Sequence, residues 1–260
     1  IQFESEPSLS FAQQQKQWLQ HAQQKLQDKI QSTGNAELVL VGSLPFDHRD
    51  LPELSIAEAK NTFVTDTINF TKPVKRLSQV RATLVPAQAD YVEGVAKLVQ
   101  LMKTTALEKA VLARAIDLQS EQKISVVDVF AELLKSNPEG YTFALAQDPK
   151  KSGWFIGASP ELLVAKQNQY IFSHPVAGTM PRSADPTEDQ AQAQRLLGSA
   201  KDQHEHKVVI EAIADQLAPL CQSLSIPKAP SLIKTQTVWH LATQIKGTLK
   251  DPDMHVFDLA

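Results

Sequence analysis

Only one cysteine, Cys221, occurs among 260 residues, so neither a disulfide nor a thiolate zinc site can form within the chain. That usage suits a reducing cytoplasm. No charge of one sign dominates either: 26 Lys and Arg are interspersed with 29 Asp and Glu, a formal net charge of −3. The basic footprint of a nucleic-acid binder is therefore missing, and a small-molecule partner is expected instead. Long apolar runs are also missing. Leu38-Val39-Leu40-Val41 falls far short of the roughly 20 residues that cross a bilayer, so no membrane partner is expected. The start, Ile1-Gln2-Phe3-Glu4, has no initiator methionine and none of the basic and apolar regions of a signal peptide, which reads as a trimmed N-terminus. What remains is ordinary: 42% hydrophobic and 21% charged residues, enough to bury a core in one large domain or two small ones.

Apolar spacing sets the expected elements. Phe11, Trp18, Leu19, Ala22, Leu26 and Ile30 recur at three- and four-residue intervals, predicting a helix over 9–31 with its glutamines towards water. Glu37–Gly42 reads as a strand. The proline-bearing stretch 43–75 offers strand candidates at Asn61–Val64 and Thr67–Phe70. A helix from an Asp90 cap to about Thr105 opens a second region, so the expected division is 1–89 and 90–260 within one structural domain. A strand at Lys109–Leu118, a Ser125-capped helix to Leu134 and strands near Tyr141–Ala146, Trp154–Ala158, Leu162–Lys166 and Tyr170–Ser173 follow. Thr187 is a candidate cap for helices to Leu197 and from Lys201 to Leu220, before strands near Leu232–Thr235 and His240–Thr248. Clustered strands and clustered helices predict α+β and disfavour a doubly wound parallel sheet.

Several residues could carry chemistry. On a strand, Lys109 would share a face with Val111 and Ala113; an ammonium among apolar groups is desolvated, which suits a general base, although a snorkelling edge lysine fits the same pattern. Glu161 follows the Ser159-Pro160 turn between two apolar runs, where it could act as a protonated acid or be an ordinary hairpin carboxylate. Gly178 and Thr179 end an expected turn at 174–179 whose backbone amides could approach an anion. Asp185–Asp189 reads as a solvated helix start rather than a metal cluster. Asp202, Glu205 and His206 share neighbouring helix faces, and the carboxylates suit Mg²⁺ better than the histidines suit zinc. His240 lies among apolar neighbours and carries no argument alone.

Together, Lys-Ala-Val-Leu-Ala-Arg at 109–114, Gly-Ala-Ser-Pro-Glu at 157–161, His-Pro-Val-Ala-Gly-Thr at 174–179, Lys-Asp-Gln-His-Glu-His at 201–206 and Trp-His-Leu at 239–241 resemble the chorismate-utilising enzymes, above all the isochorismate synthases of catecholate siderophore pathways. The resemblance implies an α+β fold of large antiparallel sheets flanked by helices. It further implies a Mg²⁺ site at Glu205 with Asp202, Lys109 as the base that activates water for attack at C2 of chorismate, and Glu161 as the acid that protonates the departing C4 hydroxyl. Gly178, Thr179 and His240 would touch substrate, and a monomer is expected.

Related anthranilate synthases lack a lysine at the position of Lys109, and aminodeoxychorismate synthases carry one where Ala177 stands, so water is the implied nucleophile. Salicylate synthases share Lys109 and Glu161 and remain the enzymatic rival. A non-catalytic small-anion binding domain is the rival of another class. Ala110 and Gln203 depart from the usual pattern without removing a proposed group. The family continues beyond the point matching Ala260 with a second metal carboxylate and a substrate arginine, so the resemblance implies a C-terminally truncated chain, inactive alone.

Overall fold

The computed structural model describes residues 1–4, 8–47, 50–58, 79–147 and 153–259; the strand candidates at 61–64 and 67–70 lie outside them. Among the described residues the chain runs α1 (Phe11–Thr33), β1 (Leu38–Ser43), β2 (Glu53–Glu58), β3 (Arg81–Val85), α2 (Gln88–Thr104), β4 (Ala115–Gln119), α3 (Val126–Ser136), β5 (Tyr141–Ala146) and β6 (Trp154–Ser159). It continues with β7 (Leu162–Gln167), β8 (Tyr170–His174), β9 (Val176–Pro181), α4 (Pro186–Gly198), α5 (Ala200–Leu217), β10 (Cys221–Ser225), β11 (Ser231–Lys234), β12 (Val238–Ala242) and β13 (Ile245–Leu249). None of these helices is long and apolar enough to cross a membrane. The α+β expectation holds. The compact units, however, are Ile1–Lys72 with Thr142–Gly157 and Pro73–Tyr141 with Ala158–Ala260, so they do not follow a boundary at residue 89.

In the first unit, Ser10 and Gln13 cap α1 reciprocally: the Ser10 hydroxyl accepts from the Gln13 N–H at 3.4 Å, and the Gln13 side chain accepts from the Ser10 N–H at 2.9 Å. Gly34, at φ +68°, ends the helix in the left-handed conformation and returns its N–H to the Ile30 carbonyl. Trp18 and Ala22, one turn apart, are buried as the spacing predicts, but Gln14, one turn earlier, is buried with them rather than turned to water. Strands β1 and β2 pair antiparallel in register Leu38↔Glu58.

The second unit holds the larger sheets. One has the order β10-β13-β8-β7 and the other β11-β12-β9, with all their pairings antiparallel. Ile171, Ile245, Leu249 and Cys221 alternate onto one face of the four-stranded sheet and meet Leu217, with Ile210 and Ile213, from α5. The inward row of α5 runs Asp202, His206, Ile210, Ile213, Leu217. It is apolar where it covers that sheet and polar towards its N-terminus, which packs on β9 and β12.

Five local expectations are corrected. The helix at 88 is preceded by Ala87 rather than capped by Asp90, which instead lies in the first turn, where a carboxylate opposes the positive helix end. Helix α4 is capped by Asp185, not Thr187: one Asp185 oxygen takes the Thr187 and Glu188 N–H groups, with Pro186 leading the helix. Residues 174–179 are not a turn, since β9 begins at Val176, and His240–Thr248 divides into β12 and β13. Finally, β4 starts at Ala115, not Lys109. Its ladder with β3 ends at Val85↔Ala115, and the next residue of β3's chain is Pro86, which has no N–H to continue it.

Candidate active site

The candidate residues gather in the second unit, where the chain passes twice between the two sheets. Strand β8 belongs to the four-stranded sheet and β9 to the three-stranded one, separated only by buried Pro175. Strands β12 and β13 make the reverse passage through Thr243 and Gln244. The Thr243 N–H donates to the Pro175 carbonyl at 3.2 Å and stitches the passages together. Beside them, Ser159 receives the Glu161 N–H at 3.1 Å, a tight Ser-Pro-Glu turn that aims the carboxylate at β9, where Oε1 accepts the Val176 N–H at 3.0 Å.

Strand β9 then bulges. His240 pairs with Thr179 and Leu241 with Ala177, leaving Gly178 as the extra residue at φ +80°. A Cβ on Gly178 would come 3.1 Å from the Asp202 Cβ and 3.4 Å from Leu241 Cδ1, so the bare backbone is what lets α5 sit this close. Opposite the bulge, Thr179 Oγ1 and His240 Nδ1 lie 2.9 Å apart. Burial lowers the His240 pKa, against the opposing pull of the Gly178 carbonyl and the Glu161 charge, which favours a neutral ring. His174, at the end of β8, is likewise lowered by burial and opposed by Glu161, and its Nε2 is buried without a partner.

The start of α5 supplies the carboxylates. Lys109 Nζ reaches Glu205 Oε1 at 3.2 Å, and Lys201 Nζ reaches Glu205 Oε2 at 3.1 Å and Asp202 Oδ1 at 3.2 Å. Burial alone would raise the Glu205 carboxyl; hydrogen bonds from Lys201 and Lys109 outweigh it and hold the group below the ordinary carboxylate value. Lys201 is correspondingly raised, first by Glu205 and then by Asp202. Asp202 is buried, and its Oδ2 is held by the Ser199 hydroxyl at the helix cap. The apolar strand face expected around Lys109 is absent: the ammonium is partnered by a carboxylate, and Val111 is exposed.

One further residue, His206, was visible only as part of the helix face. It is buried, its Nε2 lies 2.7 Å from the hydroxyl of buried Thr243, and its Nδ1 lacks a geometrically sound partner although the Ala177 carbonyl is near. Burial lowers its pKa, with Lys109 adding to the effect.

Asp189 was expected to be solvated and is not. It is buried, takes two hydrogen bonds from Arg182 Nε and one from Nη2 at 2.8 Å, and also accepts the Ser183 N–H and the Trp239 indole N–H. Arg182 stacks over the Trp239 ring at 5.3 Å, so this cluster pins the strand that presents His240. The Arg182 hydrogen bonds, against the cost of burial, hold the Asp189 carboxyl down at about 2 from an ordinary 3.8. Its folded value lies below its unfolded one, so its stabilisation is complete above the ordinary value and is lost as pH falls from there towards 2. Urea midpoints measured between about pH 5 and about pH 2.5 should fall more steeply for the wild type than for Asp189→Asn, which is less stable from the outset. Parallel curves would remove this role.

Among the described residues no three His, Cys, Asp or Glu side chains converge as a ready-made metal cluster. Mg²⁺ does not require one, because it keeps several waters and takes one or two carboxylates. Glu205 fits that demand: both its oxygens already face cationic nitrogens at hydrogen-bond distance. Thus Lys109, Glu205, Asp202, Gly178, Thr179, His240 and Glu161 form one connected set, linked by ion pairs, hydrogen bonds, close packing at the bulge and the Glu161 charge felt by His240.

This arrangement has close counterparts. Isochorismate synthase DhbC of Bacillus subtilis is 36% identical over 245 residues, covering 89% of this chain and 60% of its own. The vibriobactin-specific isochorismate synthase of Vibrio cholerae is 35% identical over 255 residues, covering 98% of this chain and 62% of its own. The crystal structure of DhbC from Bacillus anthracis superposes with a TM-score of 0.79 at 38% identity, over 94% of this chain and 63% of that one. The chain thus spans about three-fifths of the length of these relatives, and its mixed helix and antiparallel-sheet architecture matches that of the solved DhbC. The family described as chorismate binding enzyme matches residues 10–260, which include every residue of the connected set, and this chain belongs to it.

Proposed function

We propose that the protein is a cytoplasmic, Mg²⁺-dependent isochorismate synthase that converts chorismate to isochorismate for catecholate siderophore synthesis. The observation that carries this reading is the placement of Lys109 on Glu205 while Glu161 is anchored on Val176 of β9, the strand whose bulge sets Thr179 against His240. A base and an acid then act on one small substrate from different elements.

Water is a poor nucleophile until a proton leaves it, and hydroxide is a poor leaving group until a proton reaches it. Lys109, as the neutral amine left after its ammonium proton passes to solvent, takes a proton from the water that attacks C2; Glu161, in its protonated form, gives one to the C4 hydroxyl. The C2–O bond forms, both ring double bonds shift (C1=C2 to C1=C6 and C5=C6 to C4=C5), the C4–O bond breaks, and one water enters as another leaves. Neutral His240, held by Thr179, bonds to the substrate without competing as an acid. Bare Gly178 lets the start of α5 pack against β9 and so sets Asp202 and Glu205 at the substrate. Glu205, with Asp202 beside it, would hold Mg²⁺, which supplies positive charge for the substrate carboxylate.

Incubation of the full-length protein with chorismate and Mg²⁺ is expected to yield isochorismate without pyruvate, read by product chromatography. Salicylate with an equivalent of pyruvate would assign the lyase chemistry instead. Saturable chorismate binding with neither product would leave a non-catalytic anion-binding domain.

A further inference from the structure

Lys201 stands where helix physics does not want it. It is the second residue of α5, at the positive end of the helix dipole, and it precedes its partner Glu205 by four residues, the weaker order for such a pair. Helix stability therefore does not account for its position. Its nitrogen nevertheless bridges Asp202 and Glu205, and together with Lys109 it leaves each Glu205 oxygen facing an ammonium. Four side chains, two cationic and two anionic, balance to zero within this cluster.

We propose that Lys201 is a built-in competitor for the divalent cation, a displaceable ammonium that sets how tightly Glu205 binds metal. The inference rests on Glu205 being the metal ligand. A dication entering a neutral cluster brings excess positive charge, so an ammonium must give way. Lys109, with its side chain 23% exposed and reached from far along the chain, is held in place; Lys201, 78% exposed, can swing into solvent at little cost. A dication outbids the ammonium for the carboxylate, whereas a monovalent ion brings no greater charge than the one it would displace. The competitor therefore also biases the site against Na⁺ and K⁺.

Calorimetric titration of the full chain with Mg²⁺, and separately with Mn²⁺, tests this without turnover. Lys201→Gln is expected to bind each metal about five- to tenfold more tightly than wild type, while Lys201→Arg, which keeps the charge, stays near wild type. Glu205→Gln should bind neither. If wild type binds metal and Glu205→Gln does not, but Lys201→Gln binds no tighter or binds more weakly, the competitor is overturned and the metal site stands. If Glu205→Gln binds as well as wild type, the metal assignment itself fails and takes the competitor with it.

Discussion

Replacing Lys109 with alanine is expected to slow isochorismate formation by about 10²–10⁴-fold, and Glu161→Gln by a similar factor, with the double variant only slightly worse than either. Each proton transfer serves one displacement, so removing either partner leaves the other with little to assist. Substrate binding should suffer less, since neither side chain is the main holder of chorismate in this mechanism. The comparison to make is kcat against KM on correctly folded protein, with Lys109→Arg included. That variant keeps a cation for Glu205 but cannot give up its proton, and it should be as slow as the alanine variant. Losses that multiplied in the double variant would show two independent contributions and remove the coupled mechanism. Full activity in either single variant would remove that residue from it.

The second large effect is expected at Gly178. Alanine there must hold φ +80°, a conformation costing about 1–2 kcal/mol for an L side chain, and must push on Asp202 and Leu241. The methyl cannot be absorbed by a flexible tip, because the nearest atom is a Cβ on α5. Either the bulge flattens, shifting Thr179 out of register with His240, or α5 retreats and carries Glu205 from Lys109. We therefore expect a loss of about 1–3 kcal/mol in urea unfolding together with a fall in kcat beyond what the folded fraction explains. Unchanged kcat in the folded protein would mean that the bulge supports the fold only.

Long apolar periods made most elements legible. The helix at Phe11–Thr33 follows from its own spacing, and α2 was recognisable from Val92, Val95 and Val99 even though it buries no residue. Short range also sufficed for the Ser125 cap. What escaped depends on distant partners. Nothing local in Lys109–Arg114 says that the strand must wait for Ala115, because the reason is a proline opposite it from another part of the chain. Asp189 looks like any helix-start carboxylate until Arg182 and Trp239 are seen around it.

The site shows the same division. Lys109 and Glu161 were ambiguous singly, and the ordered motifs gave them context. The desolvated strand face argued for Lys109 does not exist; a carboxylate partner 96 residues away replaces it. Gly178 was legible as a special glycine but not as a bulge, since that needs the register of β12. Lys201 carried a signal that could have been used, a cation at the wrong end of a helix.

The short passage from β8 into β9 also acts as a covalent ruler. Glu161 is anchored on Val176, and His240 on Thr179, only three residues further along the same strand. At about 3.4 Å per residue, the anchors of the acid and the histidine stay within about 10 Å of each other however the surrounding helices breathe. Bond lengths, rather than side-chain packing, set that spacing, so evolution can change the outer layers of this unit without retuning the distance between these two groups.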